Sequence, residues 1–456
     1  MESTDKTDKK ISLDDAVKLA VKLHREGQVD DARTLYRRIL EAAPAQPDAL
    51  HYLGVLQHQT GRGEEAVKLI RDAIKSNPAY REAHNNLGNV LKELGRLDEA
   101  KVAYRACLAL DPKNADALNN LGTVLREQAH YQEAMSCYRQ AIDVSPEHAD
   151  VWHNIGSILV ELERYEEAID AYRKSISFHA SNSASYRWLG YSLYRKGRLQ
   201  EAVDVFREWL LFDPDNPVAR HLLAASTGEN IPERASDAFV EETFDKFAGS
   251  FDKILKKLEY RAPELLAEAV AALIPQQNGE LMVLDAGCGT GWCGPLLRPY
   301  ARHLVGVDLS RAMLEKAKGC GVYDELIEEE LTGYIQTRKG VFNLIVSADT
   351  LCYFGALEEV TQASFEALKP GGLLLFSIEK IVDPQPGNTF ILRPHGRYSH
   401  AENYLRDLLS TCGFDLLSIE NQVLRKEAGR PVEGLIVSVR RPLQVRVEFL
   451  YPDSDQ

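Results

Sequence analysis

Three glycines, at 287, 289 and 291, interrupt the chain in "LDAGCGTGWCG", between an apolar run that begins at Leu281 and a helix-like segment. A turn of this kind lets a ligand approach the backbone closely and presents N–H groups near a helix start to an anionic group. The dinucleotide fingerprint places glycines at the first, third and sixth positions of its motif, and the sixth position here is Trp292. That departure argues against a nicotinamide cofactor. A second group of reactive side chains lies in "RPHGRYSH", where His395, Arg397, Tyr398 and His400 fall within six residues at the end of a long proline-bearing segment, 380–396. Together with Asp349 and Tyr353 in "ADTLCYF" and Glu379 after "LLFSI", these are candidates to take a proton from an arriving nucleophile.

Cysteine chemistry is not favoured. The seven cysteines are scattered and never form a Cys-x-x-Cys pair, which fits reduced thiols and gives no structural zinc or other metal site. Cys293 and Cys352 lie near the candidate groups, but no histidine is paired with them in sequence and free cysteine is commonly buried.

The glycine turn needs a scaffold, and the surrounding text supplies one. From residue 281 onward short apolar runs alternate with helical stretches, which predicts an α/β domain with a parallel sheet covered on both faces. The predicted strands are Leu281–Asp285, His303–Asp308, Glu325–Ile327, Asn343–Ser347, Gly372–Ile378, Asp415–Ser418 and Leu435–Val439. Ligands of such sheets sit outside the carboxyl ends of the strands, and the glycine turn follows one of those ends. Before it, residues 232–274 read as helices with Phe239, Phe244, Phe247 and Phe251 at roughly helical spacing, a stripe that suits either a core face or a lid over the next domain.

The first half is periodic. A small residue recurs every 34 positions, at Ala20, Gly54, Gly88, Gly122, Gly156 and Gly190, and twelve residues after each comes an alanine, at 32, 66, 100, 134, 168 and 202. Four further on sits a bulky residue (Tyr36, Ile70, Tyr104, Tyr138, Tyr172, Phe206), and prolines follow at 44, 78, 112, 146 and 214, with Ala180 replacing the fifth. The array resembles the tetratricopeptide repeat family, a helix-turn-helix unit stacked into an all-α solenoid. By this resemblance the first helix of each repeat lines a concave groove. Asn86, Asn120 and Asn154 hold the sixth position of three consecutive repeats, so the resemblance places them there. An amide both donates and accepts, which suits sequence-tolerant capture of an extended peptide or protein segment.

The second half carries "VLDAGCGTG", "VGVDLS" and "LKPGGLLLF", and over about residues 281–440 it resembles the class I S-adenosylmethionine-dependent methyltransferases, with a Rossmann-like, seven-stranded, mostly parallel sheet. The resemblance implies S-adenosyl-L-methionine as cofactor, held by Asp285, Gly287, Cys288, Gly289 and Gly291 at the turn. It implies Asp308 and Leu309 at the ribose, and Glu330 and Leu331 at the adenine. One departure is Asn343 where the family commonly has aspartate, a position that serves the strand rather than the chemistry. The whole chain resembles bacterial fusions of such repeats with such a domain. The expected layout is a disordered start (1–12), six repeats (13–216), a capping helix and helical linker or lid (217–275), the methyltransferase domain (276–442) and a tail (443–456).

The expected function is methyl transfer, with a peptide or protein in the groove as acceptor or partner. The alternatives are a small-molecule methyltransferase that uses the repeats only for docking, and a non-catalytic adaptor that senses the cofactor. Catalytic candidates are Asp349, Tyr353, His395 and His400. The formal charge of −14 divides into −5 for residues 1–230 and −9 for the rest, so neither half has the basic footprint of a nucleic-acid binder. The polar "MESTDKTDKK" start and the absence of an 18-residue apolar run lead to the expectation of a cytoplasmic protein with no membrane partner. Oligomeric state and acceptor atom are not legible.

Overall fold

The computed structural model describes residues 11–443 apart from 250, 386 and 428. The expected disordered start and C-terminal tail lie almost wholly outside the described residues. The chain divides after Arg198 into two compact units.

The first unit is a run of paired helices. α1 (Leu13–Arg25) pairs with α2 (Val29–Ala42), α3 (Pro47–Gln59) with α4 (Gly63–Ser76), and α5 (Arg81–Glu93) with α6 (Leu97–Leu110). Next, α7 (Ala115–Glu127) pairs with α8 (Tyr131–Val144), α9 (Ala149–Glu161) pairs with α10 (Tyr165–Phe178), and α11 (Ser183–Arg195) packs on α10. The 34-residue columns explain the pairing. A Cβ added to Gly88 would lie 2.5 Å from the ring of Tyr104, one on Gly122 2.4 Å from Tyr138, and one on Gly156 2.7 Å from Tyr172. Each aromatic ring thus fills the space over the glycine of its own repeat, rather than the gap between neighbouring repeats. These tyrosines, like the column alanines, are fully buried. Their hydroxyls meet the polar residue that directly follows the glycine in the first helix, as in Tyr104 to Asn89 Oδ1 at 2.7 Å.

The turn between paired helices needs a left-handed residue, supplied by Gly27, Gly61, Gly95 and Gly197; Ala129 and Glu163 hold it in two repeats at φ +61° and +59°.

The second unit opens with α12 (Leu199–Phe212) and α13 (Pro217–Thr227), which pack together, followed by α14 (Asp237–Phe247), α15 (Phe251–Lys257) and α16 (Ala262–Leu273). The sheet follows: β1 (Leu281–Ala286), α17 (Gly294–Leu297), β2 (Ala301–Asp308), α18 (Arg311–Gly319), β3 (Glu325–Glu328), α19 (Leu331–Gln336), β4 (Phe342–Ser347), α20 (Glu358–Ala367) and β5 (Leu368–Lys380). The chain closes with β6 (Phe390–Leu392), β7 (Tyr398–His400), α21 (Glu402–Thr411), β8 (Asp415–Glu427) and β9 (Arg430–Arg440).

Strands run β3-β2-β1-β4-β5 in parallel, and β9 lies antiparallel between β5 and β8. Successive side chains of a strand point to opposite faces, and the core obeys this. Val283, Leu344, Val346, Leu373 and Leu375 pack under α16 and α17, whereas Leu284, Ile345, Leu374 and Phe376 pack under α19, α20 and α21.

These seven strands are the ones expected from sequence. The sheet also carries a small hairpin, β6–β7, attached to the end of β5 through Glu379↔Ser399 and Lys380↔His400. Its strands are three residues each, too short for alternation to show, and they lie at the end of the proline-bearing segment 380–396 and just after it. Among the described residues no helix is long and apolar enough to cross a membrane.

Candidate active site

The glycine turn sits at the carboxyl end of β1, between β2 and β4, where the strand order reverses. Its first residues are fixed from β2: the N–H groups of Gly287 and Cys288 both donate to the carbonyl of Val307, at 2.9 and 3.0 Å. Gly287 has φ +78°, and a Cβ there would fall 2.0 Å from Oγ1 of Thr350, so glycine is required twice over. Gly289, also at positive φ, would meet nothing nearer than Phe251 at 4.0 Å, which leaves a cradle open above it. Gly291 packs against Tyr323 and Cys320, and the Cys288 side chain turns toward Gly306, so Cys288 offers only backbone to the cradle.

Two strand-end carboxylates flank the turn. Asp285 is 1% exposed; Oδ2 accepts the Tyr323 hydroxyl at 2.6 Å, while Oδ1 is buried with no partner among the described residues. Burial lifts its pKa to about 7, against the pull of the Tyr323 hydrogen bond. Asp308 ends β2 and accepts from Gly289 N at 2.8 Å and Ser310 N at 2.9 Å, so it shapes the turn as well as facing the cradle, with half-buried Leu309 beside it. Burial raises its pKa, opposed by these N–H donors. Glu330 caps α19, both oxygens accepting backbone N–H groups, from Thr332 at 3.0 Å and Gly333 at 2.7 Å. Leu331 is buried beside Tyr334 and Ile335.

The aromatic stripe divides between the two roles its spacing allowed. Phe239 is a core residue at 3% exposure, whereas Phe244 meets Phe251 and Tyr353 edge-on over the site, with centroids 5.9 and 5.4 Å apart. Two acids latch this helical segment to the turn. Asp245 accepts from Ser310 Oγ at 2.6 Å, and Asp252 accepts from Thr290 Oγ1 at 2.6 Å and from the indole N–H of Trp292 at 2.9 Å. The residue that breaks the dinucleotide motif is therefore the one that binds the cover. Neither acid stands out in sequence, because the contacts span 38 to 65 residues and no local spacing encodes them.

On the other side of the site lies a buried ionic cluster. Arg425 donates to Asp349 Oδ2 at 2.8 Å, to Glu427 Oε1 at 2.9 Å and, by a short contact, to Glu379. Arg397 bridges Glu379, at 2.8 Å, and Glu427 by another short contact. Burial alone would raise Glu379, but Arg397 and Arg425 hold it at about 2, and Glu427 likewise. His395 Nε2 stands 3.7 Å from Glu379 Oε2, and its Nδ1 is buried without a partner. Burial, reinforced by the charge on Arg397, lowers its pKa to about 4 and keeps the ring neutral.

This geometry corrects three catalytic expectations. His400 is fully buried on β7, with Nε2 donating to the Gly355 carbonyl at 2.9 Å, and so supports the hairpin instead of facing an acceptor. Asp349 is occupied by Arg425 and by the Ser377 hydroxyl at 2.7 Å, which removes it as a free base. Tyr353 is wedged against Phe244, with burial raising its pKa, so it acts as wall. Cys352 donates to the Asp349 carbonyl at 2.9 Å, and burial raises both its thiol and that of Cys293. Arg425 and Glu427 were missed. The register of β8 shifts between Val423 and Arg425, and that bulge buries both Leu424 and Arg425, which plain alternation would place on opposite faces.

In the repeats, the three asparagines bond from one repeat to the next. Asn86 Nδ2 bonds His51 Nε2 at 2.8 Å, Asn120 Nδ2 donates to Asn89 and Asn85, at 3.1 and 3.4 Å, and Asn154 Nδ2 donates to Asn119 at 2.9 Å. Each partner lies in the preceding repeat, so the ladder stitches the array.

The strand order and the glycine cradle define a class I methyltransferase fold carried behind a helical repeat solenoid. Comparison with known proteins agrees. A methyltransferase domain model matches residues 258–419, and tetratricopeptide repeat models match 23–90, 80–147, 115–181 and 177–217. Over 111 residues the chain is 37% identical to human "Methyltransferase-like protein 27", covering 24% of this chain and 43% of that protein. It is 28% identical over 178 residues to a "Malonyl-[acyl-carrier protein] O-methyltransferase" of Priestia megaterium, covering 36% and 58%. The chain thus spans about half the length of these curated relatives. Among solved structures, the type IV pilus biogenesis factor PilW aligns over 46% of this chain and 98% of its own, at 17% identity and a TM-score of 0.43. The chain therefore joins tetratricopeptide repeats to a methyltransferase domain, and S-adenosylmethionine is the cofactor of that domain.

Proposed function

We propose that this chain is an S-adenosylmethionine-dependent methyltransferase whose repeat groove holds a peptide or protein that is the acceptor or leads to it. The observation that carries the reading is the buried, unpartnered Oδ1 of Asp285 beside a glycine cradle left open above Gly289. An orphaned buried carboxylate oxygen is costly unless a ligand supplies its donor, and an ammonium group does so. Bound there, S-adenosylmethionine supplies a methyl group on a sulfonium centre.

The chain's own residues do the rest. Asp285 holds the ammonium end, and Asp308 accepts the ribose hydroxyls from the end of β2. Glu330 and Leu331 border the adenine, and α14 and α15, latched by Asp245 and Asp252, exclude water. Displacement at the methyl group depends chiefly on alignment. Where the acceptor arrives protonated, His395 is the group to receive the proton at Nδ1, because Glu379 faces the other ring nitrogen. The groove reading rests on the ladder amides. Each turns its Nδ2 to the preceding repeat, Asn120 and Asn154 to two groups there, and within the described residues the Oδ1 atoms of Asn86, Asn120 and Asn154 accept no hydrogen bond. With seven free cysteines the protein is assigned to the cytoplasm.

Incubation with labelled S-adenosylmethionine and cell lysate tests both halves. The expected result is labelled protein, lost when Asn86, Asn120 and Asn154 are all changed to alanine in a variant that retains cofactor affinity. Undiminished labelling by that variant contradicts the groove's role. The second reading, a small-molecule acceptor, is favoured by the enclosed ionic cluster and would appear as labelled metabolites without labelled protein. Cofactor binding with no turnover at all would leave the adaptor reading.

A further inference from the structure

Neither family model reaches residues 218–257, yet α13 keeps the 34-residue register: Ala224 stands where Gly190 and Gly156 stand in the preceding repeats. In that register His221, Leu222 and Ala225 take the positions of Asn119, Asn120 and Thr123 in α7. In α13 these positions are buried, at 5, 8 and 6% exposure, under the β6–β7 hairpin. His221 Nε2 donates to the Gly396 carbonyl at 2.8 Å, and its ring stacks on Phe239 with centroids 4.0 Å apart. A Cβ built on Gly396 would lie 3.5 Å from His221, Leu222 and Phe239 alike. Tyr398, fully buried, packs with Ala224, Ala225 and Leu392 and donates its hydroxyl to the Pro232 carbonyl at 2.8 Å.

We propose that α13 is a half-repeat recruited into the catalytic unit, and that His221 is a positioning residue that sets the Arg393–Arg397 turn bearing His395 and Arg397. The inference rests on the reading of the ionic cluster as the acceptor side of a methyltransferase site. Gly396 sits between the two side chains in question. Its N–H closes the turn onto Arg393 O at 2.7 Å, Arg393 N closes it onto Arg397 O at 2.8 Å, and its φ of +90° leaves the 396–397 peptide plane to be fixed by what the carbonyl bonds. Among the described residues the group that donates to that carbonyl is His221. Freeing it releases the plane that aims Arg397 at Glu379 and Glu427, and with it the adjoining His395. Burial holds His221 in its neutral form, and because the Gly396 carbonyl can only accept, Nε2 carries the proton. The catalytic unit on this account includes α13, from Pro217 onward, and does not begin at 258.

The test uses the full chain and two amide replacements that differ only in reach. His221→Gln keeps an N–H able to meet Gly396; His221→Asn is too short. In 15N-histidine-labelled wild type, His395, facing Glu379, Glu427, Arg397 and Arg425, is expected to titrate at about 4. In His221→Asn its midpoint moves up toward 6.5 as the ring leaves Arg397 and gains solvent, and amides of 393–400 exchange at least about tenfold faster. His221→Gln restores both. An unchanged midpoint and exchange in His221→Asn overturns the proposal, as does failure of His221→Gln to restore them. Cofactor affinity, read separately by calorimetry, is expected to be unchanged in both variants; its absence even in wild type would defeat the methyltransferase reading while the titration still decides the role of His221.

Discussion

Arg425 Nη1 lies 2.8 Å from Oδ2 of Asp349, joining the loop after β4 to a bulge in β8, 76 residues later in the chain. The contact explains why a carboxylate at the end of a central strand is not the base it resembles in sequence. With side-chain exposures of 3% and 15%, the pair sits where desolvation is expensive, and Glu379 at 5% completes the network. The cluster fixes Asp349, Glu379 and Glu427 around one guanidinium beside the site.

Removing Arg425 should therefore be costly. Arg425→Ala leaves Glu379 and Asp349 without their shared partner, and breaking a buried pair from one side costs about 3–5 kcal/mol. A thermal melt of the full chain is expected to lose stability in the transition that includes the sheet and to leave the transition of the repeats in place.

The same network predicts an acid limit. Glu379 and Glu427 are held at about 2 in the folded protein, below their ordinary 4.5. A carboxyl depressed by folding contributes stability that is complete above the unfolded value and lost as pH falls through the folded one. Melting temperatures recorded from pH 6 downward should hold until about 4.5 and then fall toward pH 2; in Glu379→Gln the fall should be shallower.

Asp285 runs in the opposite sense. Its folded pKa is raised to about 7, so below that pH the free protein favours the protonated form, and the stability this contributes is complete below the ordinary 3.8 and lost as pH rises through 7. A cationic ligand group needs the ionised form, so binding releases a proton. Calorimetry should find cofactor affinity rising between pH 6 and pH 8, and Asp285→Asn should bind weakly with that dependence removed.

In the repeats, Ala129 and Glu163 occupy the left-handed turn position that glycine holds elsewhere. An L residue there costs roughly 1–2 kcal/mol, less the extra freedom glycine brings to the unfolded chain. Ala129→Gly and Glu163→Gly are each expected to raise the melting temperature of the repeat transition, a gain of about 1 kcal/mol or less, with no change in cofactor affinity.

The parts of this protein that could be read in sequence are those written in short periods. The 34-residue columns specify the glycine and tyrosine pairs, and the two-residue alternation of Val283, Leu284, Leu344 and Ile345 specifies both faces of the sheet. The turn at 287–291 was legible because three positive-φ positions in five residues leave few alternatives to glycine. What escaped depends on contacts between distant segments. Asp252 reaches Trp292 across 40 residues, Arg425 reaches Asp349 across 76, and His221 reaches Gly396 across 175. The bond from Asn120 to Asn85 joins equivalent faces of successive repeats, and the local pattern names the position without its occupant. His400 looked like a base for the same reason: its burial follows from a hairpin too short to announce itself.

The central claim, that the glycine cradle and its two carboxylates hold S-adenosylmethionine, is tested most directly by titrating the cofactor into the full chain and into Asp308→Ala by calorimetry at pH 8. The account predicts one site per chain with micromolar affinity, roughly −8 kcal/mol, and a loss of at least about tenfold in the variant. No heat of binding in wild type, or an affinity indifferent to Asp308, would contradict it.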